Sequence, residues 1–287
     1  MHKSGTWRPL TPLRNHLLSL FYDLWQHAKA DAPYGRGMAN QSSTRARRGD
    51  MPPTASIRYE DETVREVPLA ELRVTDFRGS KPWRTVRSVH GMAHHSGSYA
   101  SATMNGHVVY ESRLELARLL LADFDPAVRG IYAQPCRMSV KIDGRMRHHV
   151  PDFLLVMESG VVQVVNVKPA DLLADPKIKD ALAWPGKVVE GHGWGYEVWC
   201  GADPIVLENV RFLAAYRRPG VVPAEEIERA WASVQDGDQL AAAENRLAEE
   251  RDPHEVRPSI MALLWAGRLT TDLTSPLSGD WVLRRSE

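Results

Sequence analysis

Apolar positions along the chain change period several times, and each change predicts an element. In Leu10–Ala28, Leu17, Leu20, Phe21 and Leu24 fall on one side of a helical repeat and predict a short amphipathic helix. Residues 31–54 lose that repeat, are rich in Gly, Pro, Ser and Arg, include TRARRGD, and predict a flexible basic segment. Alternating runs from Ser56 to Leu72 predict a hairpin and a turn of helix, and a polar His/Gly/Ser stretch follows from Ser88 to Ser101. The helical repeat returns in ESRLELARLLLAD, where Leu114, Ala117, Leu120 and Leu121 are in step. CRMSVKI, PDFLLVM and VVQVVNV then read as strands, divided by turn pairs at Asp143-Gly144 and Ser159-Gly160. A helix over about 175–190, a strand at YEVWC and a helix at PIVLENVRFLAAYRR complete an α/β unit that ends near Pro219.

Beyond Pro219 the pattern is helical, in VPAEEIERAWASV, DQLAAAENRLAEER and VRPSIMALLWAGRL, with a break at Asp236-Gly237-Asp238. LTTDLTSPLSGDWVLRR then predicts a two-stranded hairpin. Helices followed by a small hairpin suggest a winged helix, a docking module for nucleic acid or protein. The expected organisation is therefore an N-terminal helix and basic segment (1–55), a lead-in (56–98), an α/β domain (99–219) and a helical docking region (220–287).

Composition narrows the class. The chain has 287 residues, enough for a sizeable core, and its 36 basic and 36 acidic residues give zero formal charge. No global field therefore draws it to nucleic acid, which fits a protein whose target is chosen by partners. The basic run in the N-terminal segment reads first as a solvated tail and second as a DNA contact. Two cysteines, Cys136 and Cys200, fit a reducing cytoplasm, and no apolar run is long enough to span a membrane. The start, MHKSGTWRPL, lacks a signal-peptide core, so a cytoplasmic location is expected, and Met38 and Met51 leave the native start open.

Candidate chemistry lies in the middle domain. In VVQVVNVKPA, strand parity places Asn166 and Lys168 on the face of Val162 and Val164, with Val165 and Val167 opposite. A strand this apolar should be buried, and a buried ammonium requires an anionic neighbour. Asp152 opens the preceding strand, and its spacing from Lys168 matches a hairpin that sets the two side by side. Glu111 and Glu115, four apart, are expected on one face of the preceding helix. Carboxylates beside a lysine suit metal-dependent phosphodiester cleavage: hard oxygens hold Mg²⁺, and the lysine orients water or offsets developing charge. Glutamates on a Leu-rich helix are also ordinary solvated charge and Pro-Asp is common by chance, so the residues alone leave both readings open.

Four short motifs go further. YESRLE (Tyr110–Glu115), Gln134-Pro135, HVPDF (His149–Phe153) and VNVKP (Val165–Pro169) resemble, in order and spacing, the TnsA family of transposon endonuclease subunits, and ENVRFLAAYRRP is similar to its actinobacterial members. The resemblance covers about Tyr99–Arg218. It implies a restriction-endonuclease-like fold, a DDE-type transposase partner, DNA at transposon ends as substrate, an ATPase regulator in the assembly, and Mg²⁺ or Mn²⁺ as cofactor. It places the metal on Glu115, with Glu111 as second choice, on Asp152, and on the Val167 backbone carbonyl, and the functional lysine at Lys168. Asn166 stands where the family often carries Glu, Asp or Gln, and its amide oxygen is a weaker, neutral ligand. The rival expectations are a non-catalytic assembly module bridging transposase and regulator, and a stand-alone restriction or repair nuclease.

Other features carry less. His94-His95 and His148-His149 are adjacent pairs that strand parity points apart, and neither cysteine has a CxxC partner. GHGWG reads as a helix-to-strand turn, and Trp184, Trp194 and Trp199 as core.

Overall fold

The computed structural model describes residues 52–85, 95–249 and 253–286. The predicted helix at 10–28 and all but the last residues of the basic segment lie outside them. The protein is mixed α/β, with six α-helices and four sheets among the described residues. None of these helices is long and apolar enough to cross a membrane. One compact unit is formed by Ala46–Ala214, and the other contains residues 215–287.

The first unit is built on two four-stranded sheets. The predicted hairpin between Ser56 and Leu72 forms as β1 (Thr54–Arg58) and β2 (Val64–Pro68), followed by a 3₁₀ turn at Leu69–Glu71. β1 also pairs with β6 (Arg137–Ile142), which pairs with β7 (Arg145–His149), in the order β2-β1-β6-β7. The expected lead-in segment is thus continuous with the α/β domain rather than a separate span. The second sheet has the order β10-β9-β8-β5, from β5 (Val128–Ala133), β8 (Phe153–Met157), β9 (Val162–Val167) and β10 (Gly195–Trp199). β8 and β9 are antiparallel, as the hairpin spacing required, and β9 and β10 are parallel. Ala55, Ile57 and Met138 of the first sheet and Leu154, Val162 and Val164 of the second share one core with Phe77 and Val189.

The helices begin where local chemistry dictates. α1 (Arg113–Phe124) is capped by Ser112, α2 (Pro176–Gly191) by Asp175 and α3 (Pro204–Leu213) by Asp203, and the last two open on proline. An Asp oxygen satisfies free N–H groups of the first turn, and proline at that place forgoes none. α2 connects β9 to β10, and the GHGWG turn between them bends at Gly193, at φ +90°. Tyr196 of β10 lies against α2 and donates to Leu182 O at 2.9 Å. A side chain at Gly186 would meet the Tyr196 ring at 3.0 Å, so the close approach requires glycine.

Four strands escaped the sequence pattern, among them the largely buried β5. β7 lacks apolar alternation, and β3 (Gly97–Ser101) with β4 (Gly106–Tyr110) forms a hairpin partly within the polar stretch. That hairpin is fastened to α1 by Asp123, a buried carboxylate. It accepts from Tyr99 Oη at 2.9 Å, Ser101 Oγ at 2.5 Å, Ala102 N at 3.0 Å and Thr103 N at 2.8 Å.

The second unit holds α4 (Ala224–Ser233), α5 (Leu240–Ala248) and α6 (Pro253–Trp265), close to the expected spans. The break at Asp236-Gly237-Asp238 is fixed by a double ion pair from Arg246 to Asp238 and by exchange of backbone bonds with Leu283. The expected hairpin is reduced to β11 (Leu269–Thr270) and β12 (Arg284–Arg285), antiparallel strands joined by residues 271–283. Trp281 and Leu283 are buried from that connection, so it packs rather than projects.

Removing the Asp123 carboxylate would strand four donors in a buried setting. Asp123→Ala should therefore lower unfolding stability by roughly 3 kcal/mol, read as a shift in the urea midpoint at unchanged slope. A change below about 0.5 kcal/mol would mean that water reaches those donors.

Candidate functional site

The site is assembled where β8 begins and β9 ends. Asp152 precedes β8, and its backbone joins three segments: N–H to Val165 O at 3.1 Å, and O from Gln134 N at 2.9 Å. Its Oδ2 accepts from Val167 N at 2.7 Å, so the carboxylate continues the β8–β9 ladder one step beyond the strand. Lys168 follows directly, its Nζ 2.9 Å from Val167 O and 3.6 Å from Asp152 Oδ2. Here the expectation of a buried lysine needs correction. Asp152 is buried, but the Lys168 side chain is 35 % exposed, because the strand has already reached the surface.

Asn166 is fully buried. Its Oδ1 lies 2.6 Å from His149 Nε2, and its Nδ2 is buried without a partner. Burial pushes His149 below its ordinary pKa, although the Asn166 bond and the Asp152 charge pull upward. A neutral imidazole has one nitrogen that accepts, so a half-turn of the amide would let Nδ2 donate to His149 and free Oδ1. His149 also meets Trp184 edge-on, with ring centroids 6.0 Å apart. The adjacent His148 turns the other way, its Nδ1 2.8 Å from Ser139 Oγ, as strand parity expected.

Glu115 comes from α1, which packs on β5 and β9. Ser112 Oγ accepts from Glu115 N at 3.0 Å and donates to Glu115 Oε1, while Oε2 accepts from Glu111 N at 2.7 Å. S-R-L-E is therefore a variant capping box, in which the glutamate reaches one residue further back than usual. Glu111 precedes the helix, so the expected pairing of Glu111 and Glu115 on one helix face does not form. Its carboxylate instead pairs with Arg84 Nη1 at 2.8 Å, which makes it a poor candidate ligand. Burial, reinforced by the Asp152 and Glu111 charges, pushes the Glu115 carboxyl up, against the hydrogen bonds it accepts.

Three contributors were missed or underrated in the sequence. His149, half of an adjacent pair that strand parity points apart, holds Asn166. Arg84 lies in a polar lead-in with no motif. Gln134 sits at φ +46° and binds Arg84 N through Oε1 at 3.0 Å and Trp83 N through its carbonyl. Cys136 is inert by contrast: burial pushes its thiol up to about 12.

The donor set fits a hard cation in kind. Asp152 Oδ2 and Val167 O already hold one positive charge between them, the Lys168 ammonium. Glu115 lies within the field of Asp152. The orphaned Asn166 Nδ2 marks an amide with an unmet polar atom, on the residue just before Val167. Two carboxylates with two neutral oxygens is an ordinary Mg²⁺ environment once water completes it. Among the described residues no three His, Cys, Asp or Glu side chains converge, so the ligand set has to include the neutral oxygens. No family model matches the chain, and no curated protein matches it closely enough to count as a relative.

The raised Glu115 carboxyl has a definite linkage sign. Its neutral form favours folding fully below the ordinary value of 4.5, and that contribution is lost as pH rises through the raised folded value. Metal-free Glu115→Gln should therefore melt above wild type near pH ~7.5 and level with it near pH ~4, in thermal scans with chelator. Lower melting at both pH values would show that capping by the carboxylate outweighs its burial.

Proposed function

We propose that this chain is the nuclease subunit of a heteromeric transposase. In this reading residues 99–219, with the sheet strands preceding them, form a restriction-endonuclease-like core that cuts DNA at transposon ends. The helical region from about residue 220 is winged-helix-like and docks the DDE-type transposase, its ATPase regulator or flanking DNA. The observation that carries the reading is the meeting of Asp152, Lys168 and the Val167 carbonyl at one sheet end, with Glu115 within the Asp152 field. Asp152, Glu115, Val167 O and Asn166 Oδ1 would hold Mg²⁺ or Mn²⁺. When bound, the ion lowers the pKa of an attacking water and offsets charge on the scissile phosphate.

The chain's own groups divide the remaining work. Lys168, tethered beside Asp152 and partly exposed, can donate to a phosphate oxygen or to the water. The Val167 N–H fixes the Asp152 carboxylate, and Gln134 holds the Asp152 main chain. His149 restrains the Asn166 amide.

One observation favours a second reading, an assembly module without chemistry. Glu115 is accounted for by capping, and Asn166 supplies no charge where a carboxylate would bind metal more tightly.

Cleavage with the partner transposase present separates the two. Lys168→Ala should lower the cleavage rate by ~10²–10³, the scale for one lost stabilising donor. Lys168→Arg should not restore it, since a planar guanidinium does not fit the seat of an ammonium. Asp152→Ala should abolish cutting in a folded protein. If neither wild type nor Asn166→Asp cuts with Mg²⁺ or Mn²⁺ supplied, the assembly reading holds.

Asn166→Asp also has a readout apart from activity. A third carboxylate, in a fully buried position, should lower the melting temperature in chelator, and added Mg²⁺ should raise it more than in wild type. Equal Mg²⁺ responses in the two proteins would remove Asn166 from the ligand set.

A further inference from the structure

We propose that the β6–β7 hairpin is a seat for the phosphate backbone of duplex DNA, leading it to the Asp152–Lys168 site. The inference rests on the nuclease reading for its direction, and on separate observations for the surface itself. The hairpin RMSVKIDGRMRHH carries Arg137, Lys141, Arg145 and Arg147 against the single acid Asp143, within a chain of zero formal charge. β7 is the free edge of its sheet, and residues 145–148 are exposed.

Register orders these cations. Arg145, Arg147 and His149 alternate onto one side of β7, and His149 is the residue whose ring reaches Asn166. Each step of two residues advances about 7 Å, so the two guanidinium groups can take separate phosphates along a row that ends at the site. Lys141 pairs with Met146, so it projects from the other face of the hairpin and lies outside this row.

Several other cations of the same unit are already neutralised. Arg65, Arg84, Arg118 and Arg129 are each held by a carboxylate. Arg137 is used against the Trp83 ring, 4.8 Å from its centroid. Among the described residues Arg145 and Arg147 have no ion-pair partner, and unlike the likewise unpaired Arg73, Arg78, Lys177, Lys179, Lys187 and Arg211 they share a strand and a face with His149. Their charge complements a polyanion, and duplex DNA is the polyanion that the adjoining site would act on. Cations on a free sheet edge also prevent strand pairing between molecules, a role that any charge would serve.

The test uses the full chain carrying Asp152→Ala, so that binding is read without cutting, and a short fluorescent duplex titrated from ~50 to ~200 mM salt. Replacing Arg145 and Arg147 with Ala should flatten the slope of log affinity against log salt by about 2, the share of two phosphate contacts. Replacing both with Glu keeps the edge charged and should abolish binding while the protein stays monomeric. An unchanged slope and affinity in the Ala protein would overturn the proposal. So would undiminished DNA binding with loss of transposase capture, which would make the hairpin a protein-docking surface. Hairpin-dependent binding by a chain that never cuts would instead leave this surface standing and refute the nuclease reading.

Discussion

Asp152 is held by main-chain bonds on both sides and by its own carboxylate, and the site has no other anchor of comparable reach. A backbone carbonyl at that point would have ended the ladder. A carboxylate does the same structural work and adds a charge with lone pairs to spare. The hydrogen bond from Val167 N prevents that charge from turning away. Lys168 then finds an anion within reach, and Glu115 and His149 both feel its field. The rest of the first unit serves to bring β5, β8 and β9 to this one residue.

The elements with strong periodicity were legible in the sequence. Leu and Ala spacing located α1, the Asp-Pro starts set α2 and α3, and the continuous apolar runs became β8 and β9. What resisted was mostly polar structure, although β5, short and interrupted by Arg129 and Gly130, also escaped. β3 and β4 are held by Asp123, a residue that in sequence is one more acid at the end of a helix. β7 is an exposed edge, where no core-facing alternation is imposed. Patterns record burial, and these strands are retained by hydrogen bonds and pairing.

The site followed the same division. Parity put Asn166 and Lys168 at one strand end, and spacing put Asp152 beside them. The placement of Glu111 failed because the helix starts two residues later, at a serine cap whose glutamate partner is Glu115 itself. His149 was invisible as a partner for Asn166, since their contact joins an edge strand of one sheet to a central strand of the other. Nothing local to either residue announces the other.

The ammonium of Lys168, seated between Asp152 Oδ2 and Val167 O, makes the site self-neutralising. A tethered cation is always present, at a local concentration that no dissolved ion matches. It spares the carboxylate an unpaired charge while the site rests, and any incoming cation has to compete with it. In the proposed nuclease, metal binding would be a contest between an ion that brings two charges and a side chain that brings one but never diffuses away.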